Sequence, residues 1–271
     1  MRFILLLFFM LNTFFVFGQL DQSKEELKKG RQKQEYAAPP SNGNTTELSD
    51  IFQNGIASGI ATGIVYGIIY GFIGDYSAEN HLYNRLTRYP FEHRSAGNYI
   101  NPDSIAKPKY FRIDIENQFL YHSDDLFGNH LKVNIRPFQY FYFQTNVFLL
   151  NEIDDFNRTR SSLHLFNLDF CYDRVRTERF NFGFTLGVNY IGNDVQMAGF
   201  AHGLCAELFL LQSFSIYSCG KLSNINGVPV HQFEAKGKYH HKKLFLSAGY
   251  EYLKIATPNY HFLSVGGGIY L

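Results

Sequence analysis

Residues 180–190 read FNFGFTLGVNY, with an apolar side chain at every second position and asparagine, glycine or threonine between them. Successive side chains of a β-strand point to opposite faces, so this stretch predicts a strand with one apolar and one polar face. The same alternation recurs from Tyr110 to Leu271 in runs of about ten residues, separated by turn-forming clusters. We therefore predict that the second half of the chain is an array of strands.

The alternation predicts ten strands, at residues 110–123, 129–136, 139–150, 163–174, 180–191, 197–210, 214–222, 229–239, 243–254 and 260–271. Eight or twelve strands remain alternatives, because strand ends taken from a single sequence are uncertain by several residues. The links differ in length: 124–128 and 151–162 are long, whereas 136–139 and 176–179 are tight.

The first predicted strand shows what kind of sheet this is. One face carries Phe111 and Ile113, and the other carries Arg112 and Asp114. A soluble two-sheet sandwich would turn its apolar face inward, whereas a membrane barrel turns it toward lipid and keeps a polar interior. Such a barrel needs apolar residues only at alternate positions, which fits a chain that is 45% apolar. The predicted fold class is an all-β transmembrane antiparallel barrel over about residues 108–271.

The N-terminus has the three parts of an export signal: Arg2, the apolar run of residues 3–17, and Gly18 before Gln19. This run is shorter than the roughly 20 residues that a membrane-spanning helix needs, and no basic cluster follows it directly. We predict that residues 1–18 are a signal peptide and that the mature chain begins near Gln19, with an uncleaved anchor as the alternative. No cysteine lies near this point, so a lipid anchor is not indicated.

Two polar stretches lie between the signal and the barrel. Residues 19–50 contain the charged run 23–29 and have too few apolar residues to bury much surface, so they are predicted to be a solvated tether. Residues 75–107 are predicted to be a second polar connector with a short helix over residues 78–86.

Residues 51–74 are apolar and carry glycine at every fourth position: Gly55, Gly59, Gly63, Gly67 and Gly71. On a helix this spacing forms a groove that lets another backbone approach closely, although the even spacing would also suit one face of a strand. Length favours the helix, even though each glycine costs it roughly 1 kcal/mol. The segment resembles the glycine-zipper segments of membrane-associated proteins, which implies self-association or docking on another envelope protein. Lipid, the barrel lumen and a second copy remain open as its surroundings.

The C-terminus, residues 264–271 with the sequence SVGGGIYL, resembles the insertion signal of Gram-negative outer-membrane barrels. Gly266, Ile269 and Leu271 match its glycine and its two hydrophobic places, although those places usually hold aromatic residues. The resemblance implies insertion into outer-membrane lipid by the barrel insertion machinery. Because such barrels have short periplasmic turns, we expect the start of the first strand, Leu271 and the N-terminal segment to lie in the periplasm.

Charges of both signs are predicted to face the barrel interior, at Arg112, Asp114, Glu116, Lys132 and Arg136. A first hairpin that turns near Asp125 would place Glu116 close to Arg136. In a barrel of about ten strands such charges pair and fill the lumen, and a narrow ion path is the alternative.

Two of the three cysteines are predicted to face each other. A three-residue turn at residues 211–213 pairs positions whose numbers sum to 424, which brings Cys205 opposite Cys219. An exported protein meets an oxidising compartment, so a disulfide between them is a further prediction. Cys171 is predicted to be a lone interior thiol.

No residue grouping indicates catalysis or a metal or cofactor site. His261 and Ser264 are an odd number of residues apart, which places them on opposite faces of a strand. Acidic residues of the links, at Asp124, Asp125, Glu152, Asp154 and Asp155, are interpreted as solvated charge. A net charge of +1 without a basic face argues against nucleic acid as a partner. We predict a non-enzymatic outer-membrane barrel with a structural or interaction role. A small channel or transport component is the second hypothesis, and an outer-membrane hydrolase is the third.

Overall fold

The structure, a computed structural model, describes residues 19–37, 71, 73–93, 96–102, 111–123, 125–154, 159–193, 195–211 and 213–271. Helix α1 spans Gln19–Ala37. A 3-10 turn at Asn80–Tyr83 precedes two short antiparallel strands, β1 (Arg85–Leu86) and β2 (Tyr99–Ile100). Residues 73–93 and 96–102 are called the connector below.

Ten longer strands follow, and each pairs antiparallel with its neighbours in the chain. They are β3 (Arg112–Tyr121), β4 (Leu126–Arg136), β5 (Phe141–Asp154), β6 (Thr159–Arg176), β7 (Phe180–Ile191), β8 (Met197–Leu211), β9 (Phe214–Ile225), β10 (Val228–His241), β11 (Leu244–Ile255) and β12 (Asn259–Tyr270). Pairing of β12 with β3 closes the sheet into a barrel. The predicted count of ten strands is confirmed.

The wall of the barrel separates an apolar exterior from a polar interior. Leu246, Leu263 and Phe200 are 68%, 67% and 62% exposed on the outside, whereas Asp169 and Lys236 are 1% and 3% exposed on the inside. Soluble monomers rarely expose apolar patches larger than a few hundred Å². This inversion is therefore the arrangement of a barrel surrounded by lipid.

The barrel has two ends, which we name by what covers them. The α1 end carries the links that follow β3, β5, β7, β9 and β11, and the connector end carries Phe111, Leu271 and the remaining turns. The link predicted at 151–162 is shorter than expected, because β5 runs to Asp154 and β6 begins at Thr159. The difference in length between the two sets of links is therefore smaller than the sequence predicts.

The prediction of a solvated tether at residues 19–50 is wrong for its first part, which forms α1. Residues Leu20, Ser23, Lys24 and Leu27 are buried, and their spacing of three and four places them on one helix face. The short helix predicted at 78–86 is limited to Asn80–Tyr83, and β1 follows it.

Several predicted features lie outside the described residues. These are the signal peptide and, of the glycine-rich segment, Gly55, Gly59, Gly63 and Gly67. Within the part of the chain that the structure describes, no helix is both long and apolar enough to cross a membrane.

Candidate functional site: a lumen covered at both ends

The middle of the lumen is filled by paired charges from β3, β4, β8 and β10. The Nζ atom of Lys236 lies 2.7 Å from Glu234 and 3.3 Å from Glu116. Lys132 also binds Glu234, and Lys238 lies 3.4 Å from Glu207. Buried charges are costly unless they are paired and hydrogen-bonded, and here each ammonium group meets a carboxylate.

A second charge cluster lies nearer the connector end. Arg112 donates to Asp114 from Nε at 2.7 Å and from Nη2 at 2.9 Å. Arg136 donates to the same carboxylate at 3.2 Å and to Asp173 at 3.0 Å. Its guanidinium also lies 3.8 Å from the centre of the Tyr142 ring. Two carboxylates thus hold two arginines that belong to adjacent strands.

The structure corrects one predicted register. Glu116 pairs with Lys132 and not with Arg136, which lies opposite Arg112. β3 ends at Tyr121 and β4 begins at Leu126, so the first hairpin turns about two residues earlier than expected. An earlier turn shifts every cross-strand pair, which explains why Glu116 instead lies opposite a lysine.

The connector covers one end of the lumen through side chains that reach into it. Asn98 donates to Glu207 at 3.0 Å and accepts from Arg112 at 2.9 Å. The hydroxyl of the fully buried Tyr99 donates to Asp173 at 2.5 Å. Because the connector's polar groups complete the charge clusters, this segment is part of the folded lumen.

The outer edge of the connector is held by Arg174 and Arg176. Two nitrogens of Arg174 donate to the two carboxylate oxygens of Glu79, at 2.9 and 2.7 Å. These bonds, with the backbone N–H of Asp75, lower the pKa of Glu79 to about 2. Arg176 is fully buried and donates to the carbonyl of Leu82 at 2.7 Å. Exposed and buried contacts together fix the connector to the barrel.

Helix α1 covers the other end through apolar packing. Leu20 and Leu27 are fully buried in a cluster with inward-facing residues of the strands, among them Leu120, Leu150 and Tyr260. The inward positions of the strands at this end are apolar, whereas charged residues line the middle of the lumen. The inner wall at this end is therefore an apolar surface on which α1 packs.

Polar contacts fix α1 to several separate strands and loops. Ser23 donates to the carbonyl of Ile255 at 3.1 Å and lies 2.8 Å from the hydroxyl of Tyr260. The backbone N–H of Thr257 donates to Glu26 at 3.0 Å, and Asn226 donates to the carbonyl of Leu27 at 3.3 Å. These bonds hold the helix across the opening.

Glu152 does not behave as the solvated loop charge that the sequence predicts. It is 3% exposed and accepts bonds from the backbone nitrogens of Gln19 and Leu20, at 3.1 and 2.9 Å. The reason is that β5 extends beyond its predicted end, which carries Glu152 into the α1 contact.

One buried group has the composition of a metal site. Ligand atoms of His130, Glu234 and Glu251 lie within 4.8 Å of one another. However, Glu234 already binds Lys132 and Lys236, so a cation would compete with two ammonium groups. The charge around this group fits internal pairing better than metal binding.

The remaining residues that the sequence singles out have these positions. Cys205 faces Cys219 in the β8–β9 ladder and is joined to it by a disulfide, and Cys171 is buried as a free thiol. His261 lies on the outer face beside Tyr250, whereas Ser264 is buried, so the two do not form a catalytic pair.

The C-terminal strand keeps its glycine for a steric reason. At Gly266 an added Cβ would overlap the backbone oxygen of Asn117 on β3. The side chain of Leu271 is 48% exposed, on the outside of the barrel. Gly266 therefore permits close packing of the β3–β12 seam.

Sequence patterns missed α1 and the connector as parts of the lumen. A signal existed for α1: Leu20, Ser23 and Leu27 have helical spacing, and Leu120 and Leu150 break the polar inward series of their strands. No comparable pattern distinguishes Asn98 or Tyr99, whose roles depend on contacts with distant strands.

No protein-family model matches the chain, and no curated protein matches it. Its structure is similar to the N-terminal β-barrel domain of Pseudomonas aeruginosa OprF, with 12% identity and a TM-score of 0.30 over 59% of this chain and 97% of that one. It is also similar to an outer membrane channel from Pseudomonas putida F1, with 8% identity and a TM-score of 0.36 over 63% of this chain and 98% of that one.

Proposed function

We propose that this protein is an outer-membrane β-barrel with a structural or interaction role, whose own N-terminal part closes its lumen. The observation that carries the proposal is the covering of both ends: α1 seats Leu20 and Leu27 at one end, and the connector places Asn98 and Tyr99 at the other. Paired charges fill the space between them. A pore that conducts continuously would instead have an open path through the lumen from one end to the other.

The position of α1 changes the orientation expected from the sequence. Leu271 lies at the connector end, and α1 closes the opposite end. The two therefore cannot both face the periplasm. If the first and last strands begin and end in the periplasm, as in other outer-membrane barrels, the connector end is periplasmic. Helix α1 then closes the external end.

A small channel is the second candidate function, and the lumen lining favours it over an enzyme. A cavity of about 40 Å³, enough for a few water molecules, lies among Arg112, Asp114, Lys132 and Glu207. Displacement of α1 would expose a polar lumen to one side of the membrane. Ion conduction that appears only after α1 is released would support this function.

The described end of the glycine-rich segment, Gly71 and Ile73, contacts the outside of the barrel. Gly30 of α1 lies beside Asn226 at the α1 end. The chain is described again at Gly71, whose carbonyl accepts from Arg174 at 2.9 Å, and at Ile73, whose carbonyl accepts from Tyr172 at 2.8 Å. The described residues on either side of 38–70 therefore lie at opposite ends of the barrel. Tyr172 stacks on the exposed Phe141, so Gly71 and Ile73 lie against the outer face of β6.

If the predicted glycine-rich helix continues from Ile73 along β6, it has a specific neighbour. From Tyr172 to Leu168 a strand advances by about 14 Å, and from Ile73 to Ile64 a helix rises by about the same distance. Oxidation of the double variant Ile64→Cys and Leu168→Cys should therefore cross-link within one chain. The control pairs Ile64→Cys with Leu246→Cys, which is exposed on β11, and should not cross-link within one chain. A cross-linked dimer instead would favour self-association through the glycine face.

Fractionation combined with heat-modifiable gel mobility tests the proposed location and fold. The folded barrel should be recovered in the outer membrane and should migrate differently before and after boiling. Recovery in the inner membrane without a mobility change would refute the proposal. Hydrolysis of lipid or peptide by the folded protein, lost in His122→Ala or His261→Ala, would instead support an enzyme.

A further inference from the structure

The first described residue of α1, Gln19, is bound through both its backbone nitrogen and its backbone carbonyl. Its backbone nitrogen donates to Glu152 at 3.1 Å, and its carbonyl accepts from Tyr260 at 2.8 Å. Glu152 and Tyr260 are 3% and 0% exposed. Gln19 is therefore fixed by two buried polar side chains from β5 and β12.

The sequence independently predicts that the export signal ends near this residue. Hydrolysis of the Gly18–Gln19 bond by a signal peptidase would consume one water molecule. It would leave a carboxylate on Gly18 and turn the amide nitrogen of Gln19 into an α-amino group. Such a group carries a positive charge at neutral pH.

We propose that the mature chain begins at Gln19 and that Glu152 is a binding site for its α-amino group. Before cleavage the peptide nitrogen of Gln19 offers Glu152 one neutral N–H donor. After cleavage the ammonium group offers a full positive charge and three N–H donors. A buried carboxylate gains most from such a partner, because charge is costly to bury unless it is paired. Cleavage would thus strengthen the contact that holds α1 over the lumen. The inference rests on signal cleavage and goes beyond the structural role proposed for the barrel.

The site has a chemical consequence that is specific to glutamine. An N-terminal glutamine cyclises when its unprotonated amine attacks its own side-chain amide carbon. The new C–N bond releases ammonia and leaves a neutral lactam. A carboxylate beside the amine favours the protonated form, which cannot attack. Glu152 should therefore protect the mature N-terminus from cyclisation.

Intact mass and N-terminal sequencing of the folded, full-length product test the proposal. The wild type should begin at Gln19 and keep its full mass during prolonged incubation at neutral pH. In Glu152→Gln, which keeps the size but not the charge, loss of ammonia should be roughly tenfold faster. The control Glu25→Gln changes a largely exposed carboxylate of α1 and should behave as the wild type.

Heat-modifiable mobility of each variant shows whether its barrel is folded, which separates this test from that of the proposed function. If Glu152→Gln does not fold, wild-type protein supplies the second measurement. The urea-unfolded wild type should cyclise roughly tenfold faster than the folded wild type. Equal rates in folded and unfolded protein, or a mature chain that begins at another residue, would overturn the proposal.

Discussion

Replacement of Leu27 by alanine should release α1 and leave the barrel intact. Leu27 is fully buried against inward-facing leucines of several strands, and such Leu→Ala changes cost about 2–5 kcal/mol. A loss of about 3 kcal/mol raises the population of undocked helix roughly 100-fold. The cost should fall on α1, because the paired charges and the strand ladders do not involve this side chain.

Hydrogen exchange of the protein in detergent micelles measures this effect segment by segment. Protection of the α1 amides should fall about 100-fold in Leu27→Ala, with unchanged protection of the barrel strands. Lys28→Ala, an exposed neighbour on the same helix, should change protection by no more than about twofold. Unchanged α1 protection in Leu27→Ala, or loss spread through β3–β12, would refute the seating of α1 in the lumen.

Three further changes test separate parts of the structure. Gly266→Ala should lower the urea concentration that unfolds the barrel, because an added Cβ would overlap a backbone oxygen of β3. Gly220→Ala should not, because an added Cβ there would lie 3.9 Å from its nearest neighbour, a ring carbon of Phe233. Asp114→Asn should cost about 3–5 kcal/mol in the same titration, because it removes the charge that two buried guanidinium groups share. As the pH falls from 4.5 toward 2, Glu79 should take up a proton and lose its ion pair with Arg174, since its folded pKa is lowered. Hydrogen exchange of residues 73–93 should rise over that window in the wild type but not in Glu79→Gln.

Each of these predictions has a contradicting result. Equal urea sensitivity of the two glycine variants would show that close strand approach is not the reason for glycine in β12. An Asp114→Asn barrel as stable as the wild type would show that the arginines do not depend on that carboxylate. A connector that is released only in neutral solution would reverse the sign expected for a carboxyl with a depressed pKa.

The strand array could be predicted from the sequence because lipid imposes a simple rule. Every lipid-facing position must be apolar, so a period of two persists even where, as at 180–190, the inward residues are only asparagine, glycine and threonine. The Cys205–Cys219 register also follows from a short turn, because few residues separate the two strands.

Long-range contacts explain what the sequence could not predict. The charged run at residues 23–29 has the composition of a linker. It belongs to a helix with one buried face because distant strands supply an apolar surface for Leu20 and Leu27. Likewise, the partner of Glu116 depends on the exact position of one turn, and an error of two residues there replaces Lys132 by Arg136.

Single-channel recording in planar bilayers tests most directly whether the lumen is closed. Full-length protein that shows heat-modifiable mobility should give no steady conductance, because α1 and the connector cover both ends and paired charges fill the space between. Steady unitary conductance steps from this folded wild-type protein would contradict a closed lumen. They would establish the channel as its function.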